Sequence, residues 1–184
     1  MNKTIISFSS SRRNGNTGAL TDRIANALKL EVVDLGSQDI TAYDCEHRNR
    51  NDDFEPLMEK VLGFNNIVFA SPIYWYSFAS PMKTFIDRIS DYLDLSDLLD
   101  KGRELRGKTG YVICTSVKDA PDEPFIETLK KIFLTWVWSL VVLCRLIAKA
   151  NPATKMSYNP SSSHYQNNVA TVHNKAASAA LFLG

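Results

Sequence analysis

A three-layer α/β/α fold around a five-stranded parallel sheet of order 2-1-3-4-5 is predicted by three features of this sequence. Short apolar runs rich in β-branched residues alternate with segments of helical period. Several runs, such as "NIVFA" and "LVVLC", are apolar at nearly every position, as strands covered on both faces must be. At 184 residues the chain is the size of one domain with one core, so a single domain over 1–184 is expected.

The elements follow in order. Strands are expected at "TIISF" (4–8), "EVVDL" (31–35), "NIVFAS" (66–71), "GYVICTS" (110–116) and "LVVLC" (140–144). Between them, Leu20, Ile24 and Leu28 repeat at helical spacing, as do Phe54, Leu57, Met58 and Val61, and then Met82, Phe85, Ile86 and Ile89. Ser80 is the expected N-cap of the third helix with Pro81 at its first position, and "DEPF" marks the start of another helix at Pro124. A last helix is expected over about 164–183. Lys83 and the Asp87–Arg88 pair lie about a turn apart on the third helix and read as surface charges worth a few tenths of a kcal/mol.

Composition excludes several classes. With 45% hydrophobic and 22% charged residues and a net charge of +1, the chain has no polyanion-binding character, and no nucleic-acid partner is implied. Cys45, Cys114 and Cys144 are widely separated and lack the spacing of a zinc site or a disulfide framework, so a reducing cytoplasm and no metal are expected. No secretory signal is read at the N-terminus. The apolar segment 132–148 is short for a membrane span and carries Arg145; a helix end followed by a buried strand is the expectation.

Parallel strands need right-handed crossovers, and ligands in such sheets sit beyond the carboxyl ends of strands where the order reverses. In the order 2-1-3-4-5 the loops after strands 1 and 3 meet there. The first, "SSSRRNGNTG" (9–18), brings Ser9, Ser10, Ser11, Asn14, Asn16 and Thr17 as donors with Arg12 and Arg13. Asn14 and Gly15 suit positive φ, and the loop opens a helix N-terminus, so it reads as an anion cradle. It has neither the Walker lysine nor G-x-G-x-x-G, which disfavours a nucleoside triphosphate and a dinucleotide. The second, "SPIYWYSFASP" (71–81), places Tyr74, Trp75, Tyr76 and Phe78 within five residues. Aromatics there serve as core plugs, as interface anchors, or as a stacking slot for a flat ring. A phosphate at one loop and a flat ring at the other make a mononucleotide, with flavin mononucleotide (FMN) the natural choice.

"SSSRRNGNT" and "SPIYWYSFASPMKTFIDR" together resemble the phosphate loop and the S-P-x-Y block of the NAD(P)H-dependent FMN reductases of the flavodoxin-like superfamily, near the quinone-reductase and iron–sulfur flavoprotein branches. The resemblance runs from residue 3 to about 117. It implies Ser10, Arg12, Asn16 and Thr17 on the FMN phosphate, Pro72, Ile73, Tyr74 and Trp75 along the isoalloxazine, and Thr115 and Ser116 at the ring's far edge. It implies hydride transfer from NAD(P)H to the flavin, then reduction of a quinone, azo, nitro or similar small-molecule acceptor, with no catalytic side chain required. A homodimer or homotetramer is expected. Ser9 stands where the family often has Gly, "TSVKDAPDEP" lacks the glycines common after the fourth strand, and Cys45 alone cannot build an iron–sulfur cluster. A flavodoxin-type electron carrier and a non-catalytic flavin-binding domain are the alternatives; the former is disfavoured by the charge of +1.

Overall fold

The computed structural model of the chain describes residues 3–116, 123–135 and 139–146. Its main sheet is formed by β1 (Thr4–Phe8), β2 (Glu31–Asp34), β3 (Asn66–Tyr74), β5 (Thr109–Ser116) and β6 (Ser139–Leu146), and a short β4 (Ser77–Phe78) folds back on β3. The order is β2-β1-β3-β5-β6, with every pairing in the main sheet parallel. Setting β4 aside, this is the expected 2-1-3-4-5 arrangement.

The apolar runs of the sequence are explained by a division at period two. Ile5, Ile67, Phe69, Val112 and Cys114 face one cluster, while Ile6, Phe8, Val68, Ala70, Tyr111 and Ile113 face the other. On the first face pack α2 (Phe54–Leu62), α3 (Ser80–Arg88) and α6 (Glu123–Thr135); on the second packs α1 (Asn16–Leu28) through Leu20, Ile24 and Ala25. The helices that follow β1 and β3 therefore diverge to opposite faces, and the two preceding loops meet at the switch point of the sheet.

The third helix begins one residue earlier than its sequence suggests. Ala79 is the N-cap, and its carbonyl accepts from Lys83 N at 3.0 Å, so Ser80 and Pro81 are the first two helical residues. The signal was displaced because the hydroxyl that serves this junction comes from a strand: Ser71 Oγ accepts from Ala79 N at 2.9 Å and donates to Pro72 O at 2.9 Å. Within the segment 132–148, residues 132–135 end α6 and 139–146 form β6, and among the described residues no helix is long and apolar enough to cross a membrane. Cys114 and Cys144, distant in sequence, are paired in register on β5 and β6. The last expected helix, 164–183, and most of the loop "TSVKDAPDEP" lie outside the described residues.

The region between β2 and α2 is held by charge. Arg88, read from sequence as a surface residue, is fully buried. Its Nε donates to Asp91 Oδ2 at 2.7 Å, and its Nη1 donates to Asp52 Oδ2 at 2.5 Å and Thr41 O at 3.2 Å. Its guanidinium carbon lies 4.6 Å from the centroid of the Phe54 ring. His47 Nδ1 is 2.8 Å from the other oxygen of Asp91, Tyr43 donates to Asp94 at 2.9 Å, and Arg50 joins Glu55 to Asp97. Of the three charges on this helix, Lys83 and Asp87 form the exposed i,i+4 pair that helical spacing predicts, at 2.7 Å to Asp87 Oδ2. The helix α4 (Asp91–Asp94) and α5 (Leu99–Arg103) complete this side.

Candidate functional site

The loop after β1 is anchored where the sheet order reverses. Phe8 pairs with Ala70, and the next residue, Ser9, donates its N–H to Ala70 O at 2.9 Å. Ser9 is buried, and its hydroxyl has no hydrogen-bond partner. An orphaned buried hydroxyl is costly and calls for a ligand or a water.

The two arginines of the loop have separate duties. Arg13 forks onto Asp22 of α1, with Nη1 to Oδ2 at 3.0 Å and Nη2 to Oδ1 at 2.5 Å, and sits 4.7 Å over the Phe8 ring. That hydrogen bond outweighs burial in raising the Arg13 pKa, and it holds the Asp22 carboxyl below its usual range. Arg12 is exposed, and its side chain makes no hydrogen bond or ion pair among the described residues. Of the pair, only Arg12 is free to meet an anion.

Helix α1 has no side-chain N-cap and no acidic residue in its first turn. Its leading N–H groups and the positive end of its dipole are left for an anion. Gly15, expected at positive φ, is instead extended at φ −81° and ψ −172° and is the N-cap residue; Asn14 is not at positive φ either. The glycine that the loop requires is Gly18, in the first turn of α1. A Cβ there would stand 1.8 Å from Arg13 O, so the loop closes directly over the helix backbone. The sequence hid this, since a glycine in a helical pattern reads as tolerated rather than required.

Two hydroxyl pairs close the site. Thr17 Oγ1 and Thr115 Oγ1 are 2.7 Å apart and buried, joining the start of α1 to the end of β5. Ser11 Oγ and Tyr74 OH are 2.7 Å apart and link the first loop to the second. Replacing Tyr74 by Phe is expected to cost about 0.5–1 kcal/mol, the net worth of an exposed hydrogen bond. Urea unfolding should show no further loss when Ser11→Ala is added; additive losses would mean that the two side chains act separately.

The second loop is a tight hairpin. Ile73 pairs with Phe78 and Tyr74 with Ser77, leaving Trp75 and Tyr76 as a two-residue connection with φ 47° and 63°. Positive φ at both central residues is the type I′ pattern, which ordinarily selects Asn-Gly. Pro72 is buried, Ile73 half-buried, and Tyr74, Trp75 and Tyr76 are exposed at 44%, 93% and 50%. Thr115 and Ser116 are buried at the carboxyl end of β5, beside β3, with Thr115 in register with Pro72. The ten residues expected at the site thus fall on three stretches of chain, 10–17, 72–75 and 115–116, at the carboxyl ends of β1, β3 and β5. Two cavities lie elsewhere, one of about 200 Å³ beside Tyr92 and Gly102 and one of about 540 Å³ along β2 and α2. Neither is lined by the loops after β1 and β3, and the candidate site is where those two loops meet at the switch point.

An uncapped helix, a free arginine and an exposed aromatic hairpin at a switch point fit a mononucleotide-binding α/β protein. The sequence profile of the NADPH-dependent FMN reductases matches residues 2–150, and the chain belongs to that family of oxidoreductases, with FMN as cofactor and NAD(P)H as reductant. It is 28% identical over 130 residues to the Bacillus subtilis (strain 168) protein YwqN, named as an NAD(P)H-dependent FMN-containing oxidoreductase; the match spans 66% of this chain and 72% of that one. Two solved structures share the fold. The Trp repressor binding protein of Bacillus subtilis aligns with TM-score 0.62 at 24% identity, covering 82% of this chain and 89% of that one. The FMN-dependent NADH-azoreductase of Bacillus anthracis str. Ames Ancestor, solved with FMN, aligns with TM-score 0.62 at 15% identity over 97% of this chain and 100% of that one.

Proposed function

We propose that this chain carries reducing equivalents from NAD(P)H through FMN to a flat aromatic acceptor of the quinone, azo or nitro type. The observation that carries the reading is the meeting of the two loops at the switch point, joined by Ser11 and Tyr74, with anion donors on one and aromatic rings on the other. The orphaned Ser9 hydroxyl, the uncapped α1 and the unpaired Arg12 fit a phosphate monoester. Ser10, Arg12, Asn16 and Thr17 hold that phosphate, Thr17 through its N–H because its hydroxyl is engaged with Thr115. Pro72, Ile73, Tyr74 and the main chain of Trp75 run along the ring, and Thr115 and Ser116 close its far edge.

When bound, FMN would take a hydride from NAD(P)H and pass the two electrons to the acceptor, chemistry that no side chain of this protein offers. The chain's own task is to hold the phosphate, order the two loops through Ser11 and Tyr74, and leave one ring face open to the partners of the reaction. No side chain is required as a proton donor.

The purified protein is expected to be yellow or to take up FMN, and to oxidise NAD(P)H with a quinone present. A colourless protein that neither binds added FMN nor oxidises NAD(P)H would sink the reading. Arg12→Ala should weaken FMN binding by roughly 10- to 100-fold, the worth of one charged hydrogen bond at about 1.5–3 kcal/mol, while riboflavin affinity stays level. Equal losses for both ligands would move the phosphate to another part of the molecule.

A further inference from the structure

We infer that the indole of Trp75 is the docking platform for the planar ring of the electron acceptor, an assignment that rests on the flavin reading above and names how its acceptor is recognised. Trp75 and Tyr76 occupy the two positive-φ positions of a type I′ turn, at 47° and 63°. Bulky L-residues pay a conformational penalty there that Asn or Gly avoids. Such strain persists where the surroundings enforce it, and the surroundings here are rigid. Ser71 ties the strand to the start of α3 through its bond from Ala79 N at 2.9 Å. Phe78, paired with Ile73 across the hairpin, is buried edge-on against Phe125 with ring centroids 5.1 Å apart. Tyr74 is held to Ser11 of the anion loop at 2.7 Å.

On this fixed base the Trp75 side chain stands almost wholly in solvent. It is 93% exposed, so the protein bears the turn's cost without any return from burying the ring. The return must come from a molecule that meets the indole. Trp75 follows directly on Tyr74, which is bonded to Ser11 of the anion loop, and on the flavin reading it therefore stands beside the ring that the second reactant must reach. An indole face fixed in advance recognises a flat, apolar aromatic ring by stacking and loses little entropy in doing so. That chemistry matches a quinone or an azo or nitro arene, and it gives no advantage to a compact, highly charged oxidant.

The test uses the full chain saturated with FMN, with menadione as the planar acceptor and ferricyanide as the non-planar one. In Trp75→Gly and Trp75→Asn, both of which accept positive φ, the ratio of kcat/KM for menadione to that for ferricyanide should fall more than tenfold, chiefly through the KM for menadione. Trp75→Phe should keep that ratio within about threefold of the parent, because the flat face is retained. Without FMN, Trp75→Gly should melt at a higher temperature than the parent, since the strain is relieved. An unmoved ratio overturns the proposal, as does a lower melting temperature, which would mean that the indole is packed within the chain. A change of oligomeric state in Trp75→Gly also overturns it, by making the ring an anchor between copies. Failure of the parent protein to bind FMN would instead remove the flavin reading itself.

Discussion

Arg88→Ala is expected to remove about 3–5 kcal/mol of folding stability, the cost of breaking a buried ion pair from one side. The guanidinium is fully buried, and its loss would leave Asp91, which is 1% exposed, with His47 alone and Asp52 with only the neutral donors of Thr41 and Phe54. Three separate stretches would lose their common partner: the residues around Thr41, the start of α2 at Asp52, and the turn into α4 at Asp91. Lysine should not rescue, because one ammonium cannot reach both carboxylates and the Thr41 carbonyl from a fixed planar fork. Urea unfolding measures the change. A loss below about 1 kcal/mol, the scale of a surface pair, would show that the loop is not hung on Arg88.

The same network sets an acid limit. Burial works to raise the Asp52 pKa, but hydrogen bonds from Arg88, from the N–H and hydroxyl of Thr41, and from Phe54 N outweigh it, and the net shift is downward. A carboxyl lowered in the folded state stabilises the fold above its unfolded pKa of about 3.9, and that contribution is lost as pH falls through the folded value. The parent should therefore weaken as pH drops below about 4, and the slope there should be shallower in Arg88→Ala.

How much of this was legible depended on how local each cause is. Strands covered on both faces advertise themselves, since alternate residues such as Ile5 and Ile6 are buried against different helices and leave no polar register. From the strand order alone the meeting of residues 9–18 with 71–81 follows. Arg88 was misjudged because its sequence neighbours suggest a helical surface pair, whereas Asp52 and Thr41 lie 36 and 47 residues away. The hairpin at Trp75–Tyr76 was invisible as a turn because it lacks the Asn or Gly that normally marks positive φ. The pairing of Cys114 with Cys144 in register depends on sheet order, which cysteine spacing does not encode. Gly18 is a further case of the same kind, and its sign is the sharpest test of the phosphate loop.

By helix propensity, Gly18→Ala should stabilise α1 by up to about 1 kcal/mol, because alanine loses less backbone entropy. The structure predicts the opposite. The added Cβ would lie 1.8 Å from Arg13 O and 2.9 Å from the carbonyl carbon, and backbone atoms cannot swing aside as a side-chain tip can. The carbonyl itself is fixed on both sides: Arg13 is forked onto Asp22 of the same helix, and four residues earlier Ser9 is bonded to β3. Relief requires the loop to lift from the helix, which separates the Arg12 side chain and the hydroxyls of the loop from the N–H groups of the first turn. We expect a net loss of about 1–3 kcal/mol in stability, as overpacking usually costs. FMN affinity should fall by about 100-fold or more, because the phosphate contacts proposed for this loop, worth roughly 1.5–3 kcal/mol each, would be misaligned together. Gly15→Ala is the control, since its Cβ would meet Arg12 O at 3.3 Å and needs only a small adjustment. Thermal melting and FMN titration of the two variants decide the matter: a Gly18→Ala protein that is more stable and binds FMN normally would place the Arg13 carbonyl away from the helix and dissolve the cradle.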